Sequence, residues 1–234
     1  MCSIIGGIVD STISQQQKKI LHEVVRIALT RKGYDGFSLT AISRKNNHYE
    51  YKHQDAQAIL SNFHDLLLHA ENRCLFLLFG RATPETEEEA SNLDMIQPFS
   101  FSDTITAHHG LVANYEELRD TYDLELKTSI DSEVIPFFVN SLTEEVSLTN
   151  KTMQDAQYKF GSVVDGSHII LFTKNERLGF INNYLGLWGI SLDGDFKLGS
   201  NNTNFVVYNT DLSKLYSNQF ELPLYSASWL GGLR

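Results

Sequence analysis

Cys2-Ser3-Ile4-Ile5-Gly6-Gly7-Ile8-Val9 is a short apolar run that opens on a cysteine and carries two glycines. A run this short and apolar predicts a buried strand at Ser3–Val9. The residues that follow change period. Ile20, Leu21, Val24, Ile27 and Ala28 recur on one face between Ser14 and Arg31, as an amphipathic helix requires. Gly33-Tyr34-Asp35-Gly36 supplies turn residues that end it, and Phe37–Ser43 returns to a strand-like texture.

The same alternation continues along the chain. His53–Ala70 predicts a second amphipathic helix, and Arg73–Gly80 is short and apolar enough for a central strand. Arg81–Gln97 reads as a polar, acidic loop, with Glu85, Glu87, Glu88 and Glu89 as a solvated run. Thr104–His108 is strand-like and is expected to end in a turn at His109-Gly110. Helices are expected at Asn114–Thr121, Ser132–Ser141 and Ser147–Gln157. Beyond Tyr158, β-rich runs recur at Lys159–Val164, His168–Thr173, Leu185–Ser191, Phe196–Gly199 and Phe205–Tyr208, separated by Asp165-Gly166 and Asp193-Gly194. Strands on both sides of a block of helices imply an α+β domain over residues 1–234, with two packed sheets and helices outside. No linker or repeat divides the chain.

Composition narrows the function. The formal net charge is −10 with no basic cluster, which argues against nucleic acid, because phosphate contacts need grouped Lys and Arg. The pairs Arg31-Lys32 and Arg44-Lys45 read as solvated element ends. The strongest apolar run, Cys74–Phe79, is far short of the roughly 20 residues a membrane span needs. The N-terminus has no signal-like pattern, and the two cysteines suggest no disulfide framework, so a cytoplasmic setting is expected. Cys74 reads as core. His108 and His109 alternate across a strand and would not share an ion, so no metal site is expected.

A cysteine directly after Met1 has chemical meaning. Methionine is removed readily before a small residue, leaving a thiol and a free α-amine on one residue. With a reference pKa of about 7.7–8.0, that amine is partly neutral near pH 7 and can serve as base to its own thiol. On position alone, Cys2 reads more simply as a small residue leading into a strand, since buried free cysteine is common. Other segments add partners. Gly80-Arg81-Ala82-Thr83 ends an apolar strand on an arginine, which can clamp a carboxylate through two parallel bonds. Asp131, opening Asp131-Ser132-Glu133, can hold an ammonium group. Gly110 can present a backbone N–H to an oxyanion.

Together these segments resemble the class II glutamine amidotransferases, the glutaminase domains of glucosamine-phosphate synthase and amidophosphoribosyltransferase. Cys2-Ser3-Ile4-Ile5-Gly6-Gly7 is similar to the family's start and Arg31–Gly36 to its Arg-Gly-Tyr-Asp segment. Arg81–Thr83 resembles its Arg-Trp/Tyr-Ala/Pro-Thr motif without the aromatic, and Ile130–Ile135 its Asp-Thr-Glu segment with Ser132 for Thr. Phe160-Gly161-Ser162 resembles part of its second half. The resemblance implies a four-layer αββα sandwich of the N-terminal-nucleophile hydrolase type. It implies Cys2 as nucleophile, Arg81 and Thr83 at the glutamine α-carboxylate, Asp131 at its α-ammonium, and the Gly110 N–H in the oxyanion hole. L-glutamine would be the substrate, with no cofactor, and a separate synthase subunit would accept the ammonia. One departure stands out. The family reads His-Asn-Gly where this chain reads His108-His109-Gly110, so His109 occupies the place of the oxyanion asparagine. Two other readings follow from it: a hydrolase of another γ-glutamyl amide, or a non-catalytic amino-acid-binding module.

Overall fold

The structure is a computed structural model and describes residues 2–43, 48–69, 73–84, 86–144, 150–194, 196, 198–199 and 204–233. The cysteine-led run forms β1 (Ser3–Val9), buried at every position. Then come α1 (Gln15–Lys32), β2 (Phe37–Ser43), β3 (His48–His53), α2 (Ala56–His69), β4 (Cys74–Gly80), α3 (Glu87–Ser91), β5 (Phe99–Phe101) and β6 (Thr104–Val112). The second half holds α4 (Tyr115–Thr121), α5 (Ile135–Glu144), α6 (Asn150–Gly161), β7 (Gly166–Lys174), β8 (Arg177–Asn182), β9 (Leu187–Ser191), β10 (Phe205–Tyr208), β11 (Gln219–Leu222) and β12 (Ser226–Gly232). Short 3-10 turns lie at Leu93–Met95 and Asp131–Val134.

The strands form two sheets, one ordered β11-β9-β10-β1-β4-β2-β3 and the other β12-β8-β7-β6-β5. Every ladder between described residues is antiparallel. The apolar runs are continuous because both faces of these strands are covered. On β1, Ile5 and Val9 join the core beneath α1 and α2, while Ile4 and Ile8 point the other way, into the layer between the sheets. β4 divides likewise, with Phe76 and Leu78 toward the helices and Leu75, Leu77 and Phe79 inward. On the second sheet Ile169 and Leu171 face inward, and Ile170 and Phe172 pack with residues of α4, α5 and α6. Three apolar layers thus alternate with helices, sheet, sheet and helices, the αββα order expected. α1 starts where Ser14 and Gln17 form a reciprocal capping box.

Several local expectations are corrected. His109-Gly110 is no turn: β6 runs through to Val112, pairing His109 with Ile169 and Gly110 with His168. Lys159–Val164 is no strand. Met153, Ala156 and Phe160 are buried at helical spacing, and the Val164 N–H closes on the Phe160 carbonyl at 2.8 Å. Phe196–Gly199 is no strand at its described positions, although the Gly199 N–H donates to the Leu230 carbonyl of β12 at 3.2 Å. Its aromatic instead stacks on Phe220 at 4.2 Å. The Arg81–Gln97 loop contains α3, and the helix expected from His53 begins at Ala56 because His48–His53 pairs with β2. β3, β5, β8, β11 and β12 are strands that the sequence patterns do not predict. Arg44-Lys45, Glu85 and the start of the Ser147–Gln157 helix lie outside the described residues.

Candidate active site

Cys2 heads β1, fourth of the seven strands in its sheet, on the face it shares with Ile4 and Ile8. Its thiol therefore sits at the edge of the layer between the sheets. Two bonds from one side chain fix the main chain there: Asn209 Nδ2 donates to the Cys2 carbonyl at 2.9 Å, and Asn209 Oδ1 accepts from the Ile4 N–H at 3.0 Å. Ser3 turns the other way and donates to the Ala28 carbonyl at 2.8 Å. Burial pushes the Cys2 thiol pKa up; the Ala82 backbone and then Arg81 pull it down, and Asp131 adds a smaller push upward.

β4 runs antiparallel beside β1, with Ser3 opposite Gly80, which delivers Arg81 next to the cysteine end. The Gly33–Gly36 segment wraps around it. A Cβ on Gly33 would lie 2.8 Å from the Gly80 Cα, so only glycine permits this approach. Tyr34 and Asp35 N–H groups donate to the Arg81 carbonyl at 2.8 and 3.1 Å, and the Arg81 N–H donates to the Gly36 carbonyl at 2.9 Å. The buried guanidinium gives Nη1 to the Glu89 carbonyl at 2.6 Å and Nε to the Asp35 carbonyl at 3.3 Å. Nη2 stands 3.7 Å from an Asp35 carboxylate oxygen and has no hydrogen-bond partner among the described residues. It is a held, desolvated donor with bonding capacity left.

On β6, His109 faces the layer between the sheets with Ala107, while His108 faces the helices. His109 is 4% exposed and its Nε2 has no hydrogen-bond partner among the described residues. Burial, helped by the nearby Lys32 cation, lowers its pKa to about 4, so the ring is neutral at physiological pH. Gly110 has φ +149°, and a Cβ there would lie 1.7 Å from the Ser167 carbonyl oxygen. The glycine is demanded by the closeness of β7, not by a turn.

Asp131 sits in the second 3-10 turn, where Oδ2 accepts from the Val112 N–H at 2.7 Å. Oδ1 lies 3.0 Å from Ser132 Oγ, which in turn lies 2.7 Å from His108 Nδ1. His108 Nε2 approaches His168 Nδ1 at 3.2 Å, and His168 Nε2 lies 3.3 Å from the Val164 carbonyl. Burial, then the facing His168 ring, lowers the His108 pKa well below the usual imidazole value. Burial lowers that of His168 as well.

All six residues singled out in the sequence, Cys2, Arg81, Thr83, His109, Gly110 and Asp131, line one cavity of about 840 Å³. Its wall also includes Glu89, Gln97, His108, Ser132 and Tyr184, to which the sequence patterns assign no part in the site. Gln97 is the last residue of the stretch expected as a polar loop. Its side-chain amide binds both backbone groups of His108, at 2.7 and 3.2 Å, and so holds β6 in place beside the cavity. Glu89 is buried rather than solvated, and Lys32 is half-buried, with Nζ on the Asn209 carbonyl. Cys74 is core as expected, its thiol pushed up to about 12 by burial. Among the described residues, no group of three or more His, Cys, Asp or Glu is placed to hold a metal ion, and no helix is long and apolar enough to cross a membrane.

Comparison with known proteins places this architecture. No family model matches the chain. It is 26% identical over 168 residues to 7-cyano-7-deazaguanine synthase 2 of Sulfurisphaera tokodaii, covering 70% of this chain and 36% of that protein. It is 28% identical over 146 residues to 7-cyano-7-deazaguanine synthase of Saccharolobus solfataricus, covering 60% and 30%. The chain thus spans about a third of the length of the curated relatives it matches. Among solved structures, the allosteric regulatory enzyme of purine biosynthesis superposes with a TM-score of 0.59 at 14% identity, over 97% of this chain and 48% of that one. Glutamine phosphoribosylpyrophosphate amidotransferase from B. subtilis gives 0.56 at 14% identity, over the same shares of the two chains. A glutamine aminotransferase class-II domain protein from Silicibacter pomeroyi gives 0.52 at 12% identity and covers both chains in full. The fold is therefore that of the class II glutamine amidotransferase domains, of the N-terminal-nucleophile type.

Proposed function

We propose that this chain is a glutaminase: it hydrolyses the side-chain amide of L-glutamine to glutamate and ammonia through Cys2, exposed by removal of Met1. The observation that carries the reading is the convergence on one cavity of six residues drawn from separate segments. The buried thiol is protonated at rest, so it needs a base, and the α-amine of the mature Cys2 is the nearest group of suitable pKa. As Sγ bonds to the amide carbon, the amine takes the thiol proton and the carbonyl electrons move to oxygen. The Gly110 N–H and the His109 Nε2–H receive that oxyanion. Collapse of the intermediate passes the proton to the leaving ammonia and leaves a γ-glutamyl thioester, which water cleaves to glutamate and thiol. Arg81 Nη2 binds the α-carboxylate beside Thr83, and Asp131 the α-ammonium.

His109 fits the donor role because it is neutral and buried, and its Nε2 has no hydrogen-bond partner among the described residues. One such donor is worth about 10²–10³ in rate. The likeness to proteins named synthases supports release of the ammonia to a synthase active site, and the two free cysteines fit a chain that acts in the reducing cytoplasm. The test is glutamate release from glutamine by protein whose mature Cys2 terminus is verified by intact mass. Release that disappears in Cys2→Ala supports the reading. No release, alone or with a synthase partner, overturns it, and a strong preference for a substituted γ-glutamyl amide transfers it to that substrate.

A further inference from the structure

The chain of contacts from Asp131 to Val164 has more acceptors than protons. It contains four links: Asp131–Ser132, Ser132–His108, His108–His168 and His168–Val164. Both ends only accept, being a carboxylate and a carbonyl. Between them, one hydroxyl and two neutral imidazoles carry three protons. The deep end decides where they lie. The Val164 carbonyl requires the proton of His168 on Nε2, which leaves Nδ1 to accept from His108 Nε2–H. The Ser167 carbonyl also faces the His108 ring and favours the same tautomer. His108 Nδ1 is then an acceptor and takes the single proton of Ser132 across 2.7 Å. With its proton so engaged, the Ser132 hydroxyl, which stands within donor reach of Asp131 Oδ1 at 3.0 Å, is turned away from it, and two acceptors are left at the end of the chain that lines the cavity.

We infer that this acceptor pair is the seat of a primary ammonium group, which donates one N–H to Asp131 and another to Ser132, and that His108 and His168 are positioning residues that keep the Ser132 lone pairs turned toward it. The inference rests on the glutaminase reading for the identity of the amine, and adds Ser132 as a second contact and the two histidines behind it. It has a pH consequence. A proton placed on His108 Nδ1 turns the Ser132 hydroxyl toward Asp131 and fills all four links without a ligand. Acid and amine therefore compete for the same pair. The groups facing these rings are His109 on β6, Asp131 and Ser132 in the 3-10 turn, Asp165 ahead of β7, and the Phe160 ring of α6.

The test is a long-range ¹H–¹⁵N spectrum of the ¹⁵N-histidine-labelled full chain across a pH series, alone, with L-glutamate, and with glutarate, which lacks the amine. Expected are Nε2–H tautomers at both His108 and His168 near neutral pH, and a His108 protonation midpoint driven lower by L-glutamate but not by glutarate. An Nδ1–H tautomer at His108 in the ligand-free protein overturns the inference, as does a midpoint that both ligands move equally or neither moves. Kinetics give a second readout. Ser132→Ala should raise KM for glutamine at least about tenfold, more than it lowers kcat, and Ser132→Thr should restore it. Glutamate release by the same preparation separates the two claims. An active enzyme with His108 as Nδ1–H sinks the inference alone. An inactive protein that shows the expected tautomers and the amine-specific shift sinks the glutaminase reading alone.

Discussion

His109 should make the protein acid-sensitive by an amount that can be worked out. Its pKa falls from 6.5 in the unfolded chain to about 4 in the folded one, chiefly through burial. A lowered folded pKa means that the unfolded state binds more protons between those values. The neutral ring is therefore accommodated fully above pH 6.5, and stability is lost as pH falls toward 4. Integrating the proton difference gives a loss of about 2 kcal/mol by pH 5 and about 3 kcal/mol by pH 4. His109→Asn removes the titration while keeping a side-chain N–H donor. Urea unfolding of both proteins between about pH 7 and pH 5 should show the stability difference shifting against the native protein by about 2 kcal/mol. Parallel curves, agreeing within about 0.5 kcal/mol at every pH, would refute the claim that this ring is buried uncharged.

The neighbouring residues yield further outcomes. Lys32→Met removes a cation that helps depress His109, so an NMR titration should find the His109 pKa raised. Gly110→Ala drives a Cβ to within 1.7 Å of the Ser167 carbonyl oxygen, and thermal or urea unfolding should show a loss of more than about 3 kcal/mol. Arg81→Lys keeps the charge but loses the fork that bonds Glu89 and Asp35 while leaving Nη2 for a carboxylate, so KM for glutamine should rise about tenfold or more. Asn209→Ala strips two bonds from the main chain around Cys2 and should cost about 1–3 kcal/mol, with slower turnover in a glutamate-release assay.

What was legible in the sequence was whatever repeated with a period or sat next to its partner in the chain. Ser3–Val9 and Cys74–Gly80 were readable because strands covered on both faces are apolar throughout, and α1 because one face is. Phe160 and Val164 misled because a helix end also places aromatic and β-branched residues close together. Gly110 misled because glycine serves a close crossing as well as a turn, and only the distance to Ser167 separates the two uses. β3 and β12 were passed over because an exposed edge strand and a glycine-rich one carry weak patterns. Six site residues were visible through motif order. Glu89, Gln97, Ser132 and Asn209 were not seen as participants, because their roles depend on hydrogen bonds made across the fold. The Asn209 contacts with β1 span more than 200 positions. His108 is visible only through its motif and His168 only as the start of a strand; nothing local shows that rings 60 positions apart meet.

The central place of β1 has a consequence for how the protein is made. Within this chain its residues leave the ribosome first, yet they pair on one side with β4 and on the other with β10, where Ile5 meets Tyr208. Its β4 edge can be satisfied early, but its β10 edge stays open until most of the polypeptide has been synthesised, and an unpaired apolar edge invites wrong partners while it waits. The segment that carries the cysteine is thus the earliest to appear and among the last to be locked in, so the cavity comes into being only when the sheet closes around its own beginning.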